Sequence, residues 1–242
     1  IQMLPEASRF FAPMMIALSL IAIVYASLVA YAQTDMKKLV AYSSVAHMGF
    51  VTLGLFCFNA PGFDGAMMVM LSHAFVSAAL FLGVGVVYDR LHTREIARFG
   101  GMATNMPRYA TAFMLFTLAA IGLPGTSGFV GEFLSMQGAF LANSTYAFLA
   151  ALGVIFGAMY MLSLYRRLFF GPADKDDVRA MLDLNTREIA MFVPLAVLVL
   201  WIGLYPASFR NVYAPTLTRV LTLVEAQAQP EAQNVPPEDA ND

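Results

Sequence analysis

Six stretches of almost unbroken apolar sequence dominate this chain, and each is long enough to cross a lipid bilayer. A transmembrane helix needs about 20 apolar residues. The stretches lie near residues 10–32, 39–58, 66–88, 109–141, 146–170 and 188–206. Only 12% of the 242 residues are charged, which is about half the share found in a typical soluble domain. The sequence therefore predicts an all-α polytopic membrane protein, a bundle of about six transmembrane helices, and excludes a large soluble domain.

The sequence changes character after the last apolar stretch. Residues 207–226 mix apolar and polar residues, which predicts an amphipathic helix lying along the membrane surface. Residues 227–242 are rich in Pro, Asn and acids, which predicts a disordered tail. The chain begins at Ile1 and reads like the middle of a longer sequence, so we expect it to be part of a larger product.

The basic residues are distributed unevenly between the two sides of the predicted bundle. Arg9, Arg210 and Arg219 fall on one side, which leaves 11 of the 14 Lys and Arg residues in loops on the other side. Cytoplasmic loops of membrane proteins carry an excess of Lys and Arg. We therefore expect the richly basic loops to be cytoplasmic and both ends of the chain to face the outer side.

The fourth apolar stretch, 109–141, is too long for one straight crossing. As a continuous helix it would measure about 50 Å, against a hydrocarbon core of about 30 Å. Pro124 removes a backbone donor, and Gly122 and Gly125 let the backbone leave helical geometry. The pattern predicts a helix broken in mid-membrane. Such a break is tolerated where protein or water satisfies the freed backbone groups, so we expect it to face the bundle interior.

Glu132 follows this break by about one turn, inside the apolar stretch. Transporters often place ion sites beside discontinuous helices, and ionisable residues within a membrane are usually functional. Gly128 and Gly131 are expected to leave space beside the carboxyl group. We predict that Glu132 loads and releases a proton. The alternative is a permanently neutral acid that hydrogen-bonds to the broken backbone.

Two histidines lie at membrane depth in other stretches. His47 is near the centre of the second stretch and His73 is in the third, each with a serine about one turn away. Histidine gains and loses a proton near neutral pH. We predict that both histidines pass protons to or from Glu132. The alternative is that each is a neutral side chain that joins two helices by a hydrogen bond.

Sequence signatures of several other chemistries are absent. The chain has no CxxC, no HExxH, no phosphate-binding glycine loop and no dinucleotide fingerprint. Cys57 is the one cysteine, so a disulfide within the chain is excluded. We expect no metal and no cofactor in this chain, and we expect lipids rather than nucleic acid among its partners.

Three blocks of the sequence resemble the antiporter-like membrane subunits of respiratory complex I: TDMKKLVAYSSVAHMGFVTLG, LSHAFVSAALFLGVGVVYDRLHTREIARFGG and GLPGTSGFVGEF. The resemblance runs from about residue 4 to residue 225. In that family the blocks are the tenth, eleventh and twelfth helices of a fourteen-helix subunit, which implies that this chain is the C-terminal part of one. Sibling subunits carry lysine in the broken helix. The chain M branch, called chain 4 in mitochondria, carries glutamate, like Glu132 here.

The resemblance implies a function and a setting. It implies a proton-translocating subunit of NADH–quinone oxidoreductase, with Glu132 as the terminal exit group and His47 and His73 in its hydrophilic axis. NADH, FMN, iron–sulfur clusters and quinone would be bound by partner subunits, and the neighbours would be other antiporter-like membrane subunits. The location would be the bacterial inner membrane, with both ends of the chain periplasmic. The alternatives are a subunit of a multisubunit sodium/proton antiporter or a membrane-bound hydrogenase, or a non-transporting membrane scaffold.

Overall fold

A computed structural model describes residues 1 and 3–226, and this described part is a helical bundle without β-strands. Its α-helices are α1 (Pro5–Phe10), α2 (Ala12–Tyr31), α3 (Met36–Phe56), α4 (Ala60–Leu91), α5 (Pro107–Ile121), α6 (Ser127–Ala142), α7 (Ser144–Phe169), α8 (Asp176–Arg179), α9 (Thr186–Leu204) and α10 (Ala207–Ala226). Five of them, α2, α3, α4, α7 and α9, are long and apolar enough to cross a membrane. The predicted all-α membrane bundle is confirmed. The tail predicted at 227–242 lies outside the described residues.

Local capping sets the ends of the longest helix, α4. The Asn59 side chain accepts a hydrogen bond from the backbone N–H of Gly62 at 2.9 Å. Asparagine is among the residues that best satisfy the free N–H groups of a first helical turn. At the other end, His92 takes a left-handed conformation with φ of 51°. The helix therefore begins earlier and ends later than the apolar stretch 66–88, because caps rather than hydropathy determine where it stops.

The predicted break separates α5 from α6 at residues 122–126, and the broken helix is confirmed. Gly122 and Gly125 both have positive φ, 81° and 91°, a region that glycine enters without steric cost. The N–H of Leu123 donates to the carbonyl of Leu118 at 3.0 Å, and the Thr126 hydroxyl donates to the carbonyl of Leu123 at 2.7 Å. These hydrogen bonds satisfy backbone N–H and carbonyl groups that the break would otherwise leave unpaired inside the bundle.

Helix α5 has no side-chain cap of its own, and Asp183, from the loop before α9, supplies one. Its carboxylate accepts from the backbone N–H of Arg108 at 2.9 Å and from that of Tyr109 at 3.1 Å. A carboxylate at a helix N-terminus satisfies free donors and interacts favourably with the helix dipole. The loop before α9 therefore stabilises the first half of the broken helix.

Replacing Asp183 with alanine is expected to destabilise the fold by about 1–2 kcal/mol, the usual effect of losing a helix cap. Thermal unfolding of the purified protein in detergent measures the change. Asp176→Ala is the matched control, because the Asp176 side chain is fully exposed. If both variants unfold at the same temperature, Asp183 is not acting as a cap.

A largely buried ion pair joins α4 to α9 at the end of the bundle where Asp183 lies. Arg90 donates from Nη1 to Oε1 of Glu188 at 2.8 Å and from Nη2 to Oε2 at 2.9 Å. The Arg90 guanidinium also donates to the backbone carbonyls of Leu182 and Asp183. A two-point pairing of this kind fixes both side chains, and here it also fixes the loop that caps α5.

Glycines let α3, α4 and α6 approach one another at backbone distance, along a line that we call the glycine seam: Gly54, Gly62, Gly65, Gly131 and Gly138. A Cβ atom on Gly131 would lie 2.5 Å from the backbone nitrogen of Val69, and one on Gly65 would lie 2.7 Å from the Ser135 hydroxyl. Real Cβ atoms do not approach other atoms so closely. The seam therefore depends on glycine at these positions.

Helix α10 is attached to the bundle through Asp64, near the start of α4. The Tyr213 hydroxyl donates to one carboxylate oxygen at 2.6 Å, and Arg210 forms an ion pair with the other. Burial, together with the Asp64 carboxylate, raises the pKa of Tyr213 well above its ordinary value. Hydrogen bonding to Asp64 likewise raises the pKa of Arg210, so both side chains remain donors at neutral pH. The membrane-surface position of residues 207–226 stays a prediction.

Candidate functional site

Glu132 lies in the second turn of α6 and pairs with His47 of α3. The distance between Nδ1 of His47 and Oε1 of Glu132 is 2.8 Å. Both side chains are largely buried, with exposed fractions of 13% for His47 and 8% for Glu132. A carboxylate removed from water is costly unless it has a partner. The hydrogen bond to the imidazole therefore fixes the carboxyl group in place.

The second carboxyl oxygen of Glu132 faces the end of α5. A Cβ atom on Gly122 would lie 3.2 Å from Oε2 of Glu132. The glycine that ends α5 therefore also makes room for the carboxyl group. The break and the acid are in contact, as their spacing in the sequence suggested.

His73 of α4 lies beside this pair. The centroids of the His47 and His73 rings are 5.5 Å apart, and in the described part of the chain no direct hydrogen bond joins them. Both histidines and Glu132 line one cavity of about 20 Å³, which is about the space that one water molecule needs. The structure thus brings all three predicted residues together around one cavity, and His47 is bonded to Glu132 and adjacent to His73. Their roles in proton transfer stay a prediction.

The serines predicted one turn from the histidines line the same cavity. They are joined there by a fourth serine, and the set is Ser43, Ser44, Ser72 and Ser77. Ser72 also forms a hydrogen bond of 2.7 Å with Ser127, which starts α6 directly after the break. The cavity therefore has hydroxyl groups as well as ionisable groups on its walls, and one hydroxyl pair connects α4 to the break.

Tyr160 of α7 is a member of the site that the sequence did not reveal. Its side chain is buried, and its hydroxyl oxygen is 3.5 Å from Nε2 of His47. The two ring nitrogens of His47 therefore face different partners, Glu132 and Tyr160. The chain has ten tyrosines, and no local pattern separates this one from those at the ends of spans.

The prediction that Gly128 and Gly131 leave space beside Glu132 is wrong for Gly131, whereas Gly128 lines the cavity beside the carboxyl group. A Cβ atom on Gly128 would overlap the carbonyl oxygen of Ala119 in α5, and one on Gly131 would meet the backbone of α4. Each of these two glycines lets the backbones of neighbouring helices come into contact. Ser135, one turn further along α6, is fully buried, and its hydroxyl has no hydrogen-bond partner among the described residues.

One side of Glu132 therefore borders a cavity with polar walls, and the other side is closely packed. The cavity is lined by serines and histidines of α3 and α4, and the basic loops lie at the start of α3 and at the end of α4. On the opposite side, the glycine seam packs α4 directly against α6. Within residues 1 and 3–226, no three His, Cys, Asp or Glu side chains are arranged as metal ligands.

Comparison with known proteins identifies the family. Residues 1–159 match the family described as NADH:quinone oxidoreductase/Mrp antiporter, TM. The chain belongs to this family. It is accordingly a multi-pass membrane protein, and the resemblance to antiporter-like subunits is confirmed.

Named relatives in this family are similar over most of the chain. It is 52% identical to NADH-quinone oxidoreductase subunit M of Rhodobacter capsulatus over 219 residues, which cover 90% of this chain and 43% of the relative. It is 51% identical to NADH-ubiquinone oxidoreductase chain 4 of Marchantia polymorpha over 209 residues, which cover 86% and 42%. The chain therefore spans less than half the length of these relatives.

Two solved structures share the fold of this chain. A chain of respiratory complex I from Thermus thermophilus with bound NADH matches with a TM-score of 0.85 at 32% identity, over 91% of this chain and 46% of that chain. A chain of the Mrp complex from Dietzia sp. matches with a TM-score of 0.76 at 21% identity, over 89% and 49%. The second likeness, at this identity, shows the fold alone.

Proposed function

We propose that this chain is a proton-translocating part of a membrane subunit of NADH–quinone oxidoreductase, and that Glu132, His47 and His73 transfer the proton. The observation that carries the proposal is the buried pair of Glu132 and His47 at the helix break. The relatives named subunit M and chain 4 belong to that enzyme, which supports assigning the pair to proton transport.

A buried acid–base pair transfers a proton when its surroundings change. With the proton on His47 the pair is an ion pair, and with the proton on Glu132 it is two neutral groups joined by a hydrogen bond. Desolvation favours the neutral form, and mutual attraction favours the charged form. A charge that arrives at or leaves a neighbouring group, such as His73, shifts this balance and moves the proton.

The proposed setting is an assembled complex in the bacterial inner membrane. Other subunits bind NADH, FMN, iron–sulfur clusters and quinone, and their electron transfer supplies the change of charge. The neighbours in the membrane are other antiporter-like subunits. The basic loops are cytoplasmic and both ends of the chain are on the outer side. In this proposal protons reach Glu132 from the cytoplasm, by way of the serines and histidines that line the cavity.

Two alternatives have less support. The likeness to the Mrp complex concerns the fold, whereas the relatives that are about half identical over the aligned residues are oxidoreductase chains. A non-transporting scaffold has no use for a buried carboxyl group paired with an imidazole beside a break. The scaffold hypothesis therefore predicts that changes at this pair leave proton translocation unaltered.

Substituting the histidines tests the proposal. In the complete complex, His47→Gln and His73→Gln are expected to retain assembly and quinone reduction and to lose part of the proton translocation. His47→Gln should have the larger effect, because His47 contacts Glu132 directly, and the double variant should be lower than either. Proton release by sealed vesicles, counted per NADH oxidised, measures this.

His92→Gln is the matched control, since His92 is an exposed histidine at the end of the same helix as His73. It should translocate protons normally. Normal translocation by the His47/His73 double variant would reject their role as carriers and favour the scaffold.

A further inference from the structure

The basic end of the bundle contains a second cavity, of about 280 Å³, that the proposed proton path does not use. It lies between the loop before α5, the C-terminal end of α7 and the loop that follows α7. Three basic side chains from these three segments line it: Arg98, Arg167 and Lys175. One acidic residue, Asp174, also lines it, so the walls carry an excess of two positive charges.

Backbone hydrogen bonds fix the walls of this cavity. The N–H groups of Gly101 and Ala103 donate to the carbonyls of Phe170 and Phe169, each at 3.2 Å. Gly101 has a φ of 65°, in the region that favours glycine. The two loops therefore cross in a defined arrangement, and the basic residues on them have fixed relative positions.

The three cations keep unused hydrogen-bond donors. Arg98 forms an ion pair with Asp177, and Nζ of Lys175 donates to the carbonyl of Ala97 at 2.9 Å. Arg167 has neither an ion pair nor a side-chain hydrogen bond within the described part of the chain. A guanidinium has five N–H donors and an ammonium has three. Most of these donors are therefore available to an anion in the cavity.

The surroundings indicate which anion fits. The cavity adjoins the end of α7, one of the apolar spans, and two aromatic residues line it, Phe99 and the largely exposed Phe170. Basic pockets at the ends of transmembrane helices bind anionic lipid head groups, and arginine binds phosphate through two parallel hydrogen bonds. We propose that Arg98, Arg167 and Lys175 form a site for a phosphate group, carried by the head group of an anionic phospholipid whose acyl chains lie along Phe170 and α7.

Photo-cross-linking tests this site in the complete complex. The probe is a phosphatidylglycerol with a photoreactive head group, and the readout is its attachment to peptides covering residues 97–100 and 167–175. Arg167→Gln and Lys175→Gln should each weaken labelling about 5-fold, since one basic residue near an anionic surface contributes about 1 kcal/mol. The double variant should weaken it about 30-fold.

Two sets of controls separate charge from folding. Arg179→Gln removes an exposed charge from the same loop region, outside the cavity, and should label normally. Lys175→Arg keeps the charge and should retain labelling. Arg167→Lys keeps the charge but loses the two-point bond to phosphate, so it should label at a level between the unaltered complex and Arg167→Gln. Arg98 is left unchanged, because its pairing with Asp177 supports the loop.

Competition identifies the source of the phosphate. Unlabelled phosphatidylglycerol should displace the probe, whereas phosphatidylcholine, which has no net negative charge, should do so poorly. Displacement by millimolar inorganic phosphate would show that the site takes free phosphate instead of a lipid. Equal labelling of the double variant and the unaltered complex, or equal competition by the two lipids, would overturn the site.

Discussion

Replacing Glu132 with glutamine is expected to stop most proton translocation through this chain, while the complex still assembles and reduces quinone. Glutamine has nearly the same shape and still accepts a hydrogen bond from His47, but it does not take up or release a proton. A positioned acid or base typically contributes a factor of about 10² to 10⁴. We therefore expect the flux through this path to fall at least about 100-fold, seen as fewer protons released per NADH oxidised.

Two further variants test whether the acid at position 132 is responsible for this loss of translocation. Glu132→Asp keeps the acid but shortens it by one methylene, which lengthens the 2.8 Å contact with His47, so intermediate translocation is expected. Glu95→Gln removes an exposed acid outside the site and should have no effect. An assembled Glu132→Gln complex that translocates protons at the normal ratio would refute the proposed function.

Adding one methyl group at Gly131 is expected to produce a large loss of stability. In Gly131→Ala the new Cβ atom would lie 2.5 Å from the backbone nitrogen of Val69 and 2.9 Å from the carbonyl carbon of Met68. Backbone atoms of a packed helix do not rotate aside as a side chain does, so α4 and α6 must separate. Overpacking usually costs about 1–3 kcal/mol, and we expect the upper end here. The yield of assembled complex and its unfolding temperature measure the effect.

Gly85→Ala is the matched control for this substitution. Gly85 is also a helical glycine of the bundle, but a Cβ atom there would have no atom within 4 Å. Alanine is the better helix former by about 1 kcal/mol, so this variant should be neutral or slightly more stable. If both alanine variants behave alike, contact across the glycine seam is not what Gly131 provides.

The local features of this fold could be predicted from the sequence. Hydropathy over about 20 residues determines where a helix can cross a bilayer, so the all-helical membrane bundle was predictable. Pro124 and its neighbouring glycines act on their own backbone, and the break therefore lies where they do. Glu132 follows the break by only a few residues, so its position beside the break could be predicted from the sequence.

The contacts between distant segments could not be predicted in this way. His47 and Glu132 are 85 residues apart, and their pairing depends on how α3 and α6 rotate against each other. Asp183 caps a helix from 75 residues away, so no capping motif marks it. A helical glycine can leave a space or let two backbones come into contact, and the outcome depends on the neighbouring helix. The prediction of a space beside Gly131 was wrong because α4 packs against it.

The way α5 and α6 are fixed has a consequence for motion at the site. Asp183 attaches the start of α5 to the loop region at the basic end, while the glycine seam attaches α6 to α4. Any displacement of one half against the other must then be absorbed at residues 122–126, where two glycines already have positive φ. We therefore expect this turn to be the place where α5 and α6 bend against each other. Because Gly122 lies against the Glu132 carboxyl group, we expect bending at this turn to change the distance between that carboxyl group and the His47 imidazole.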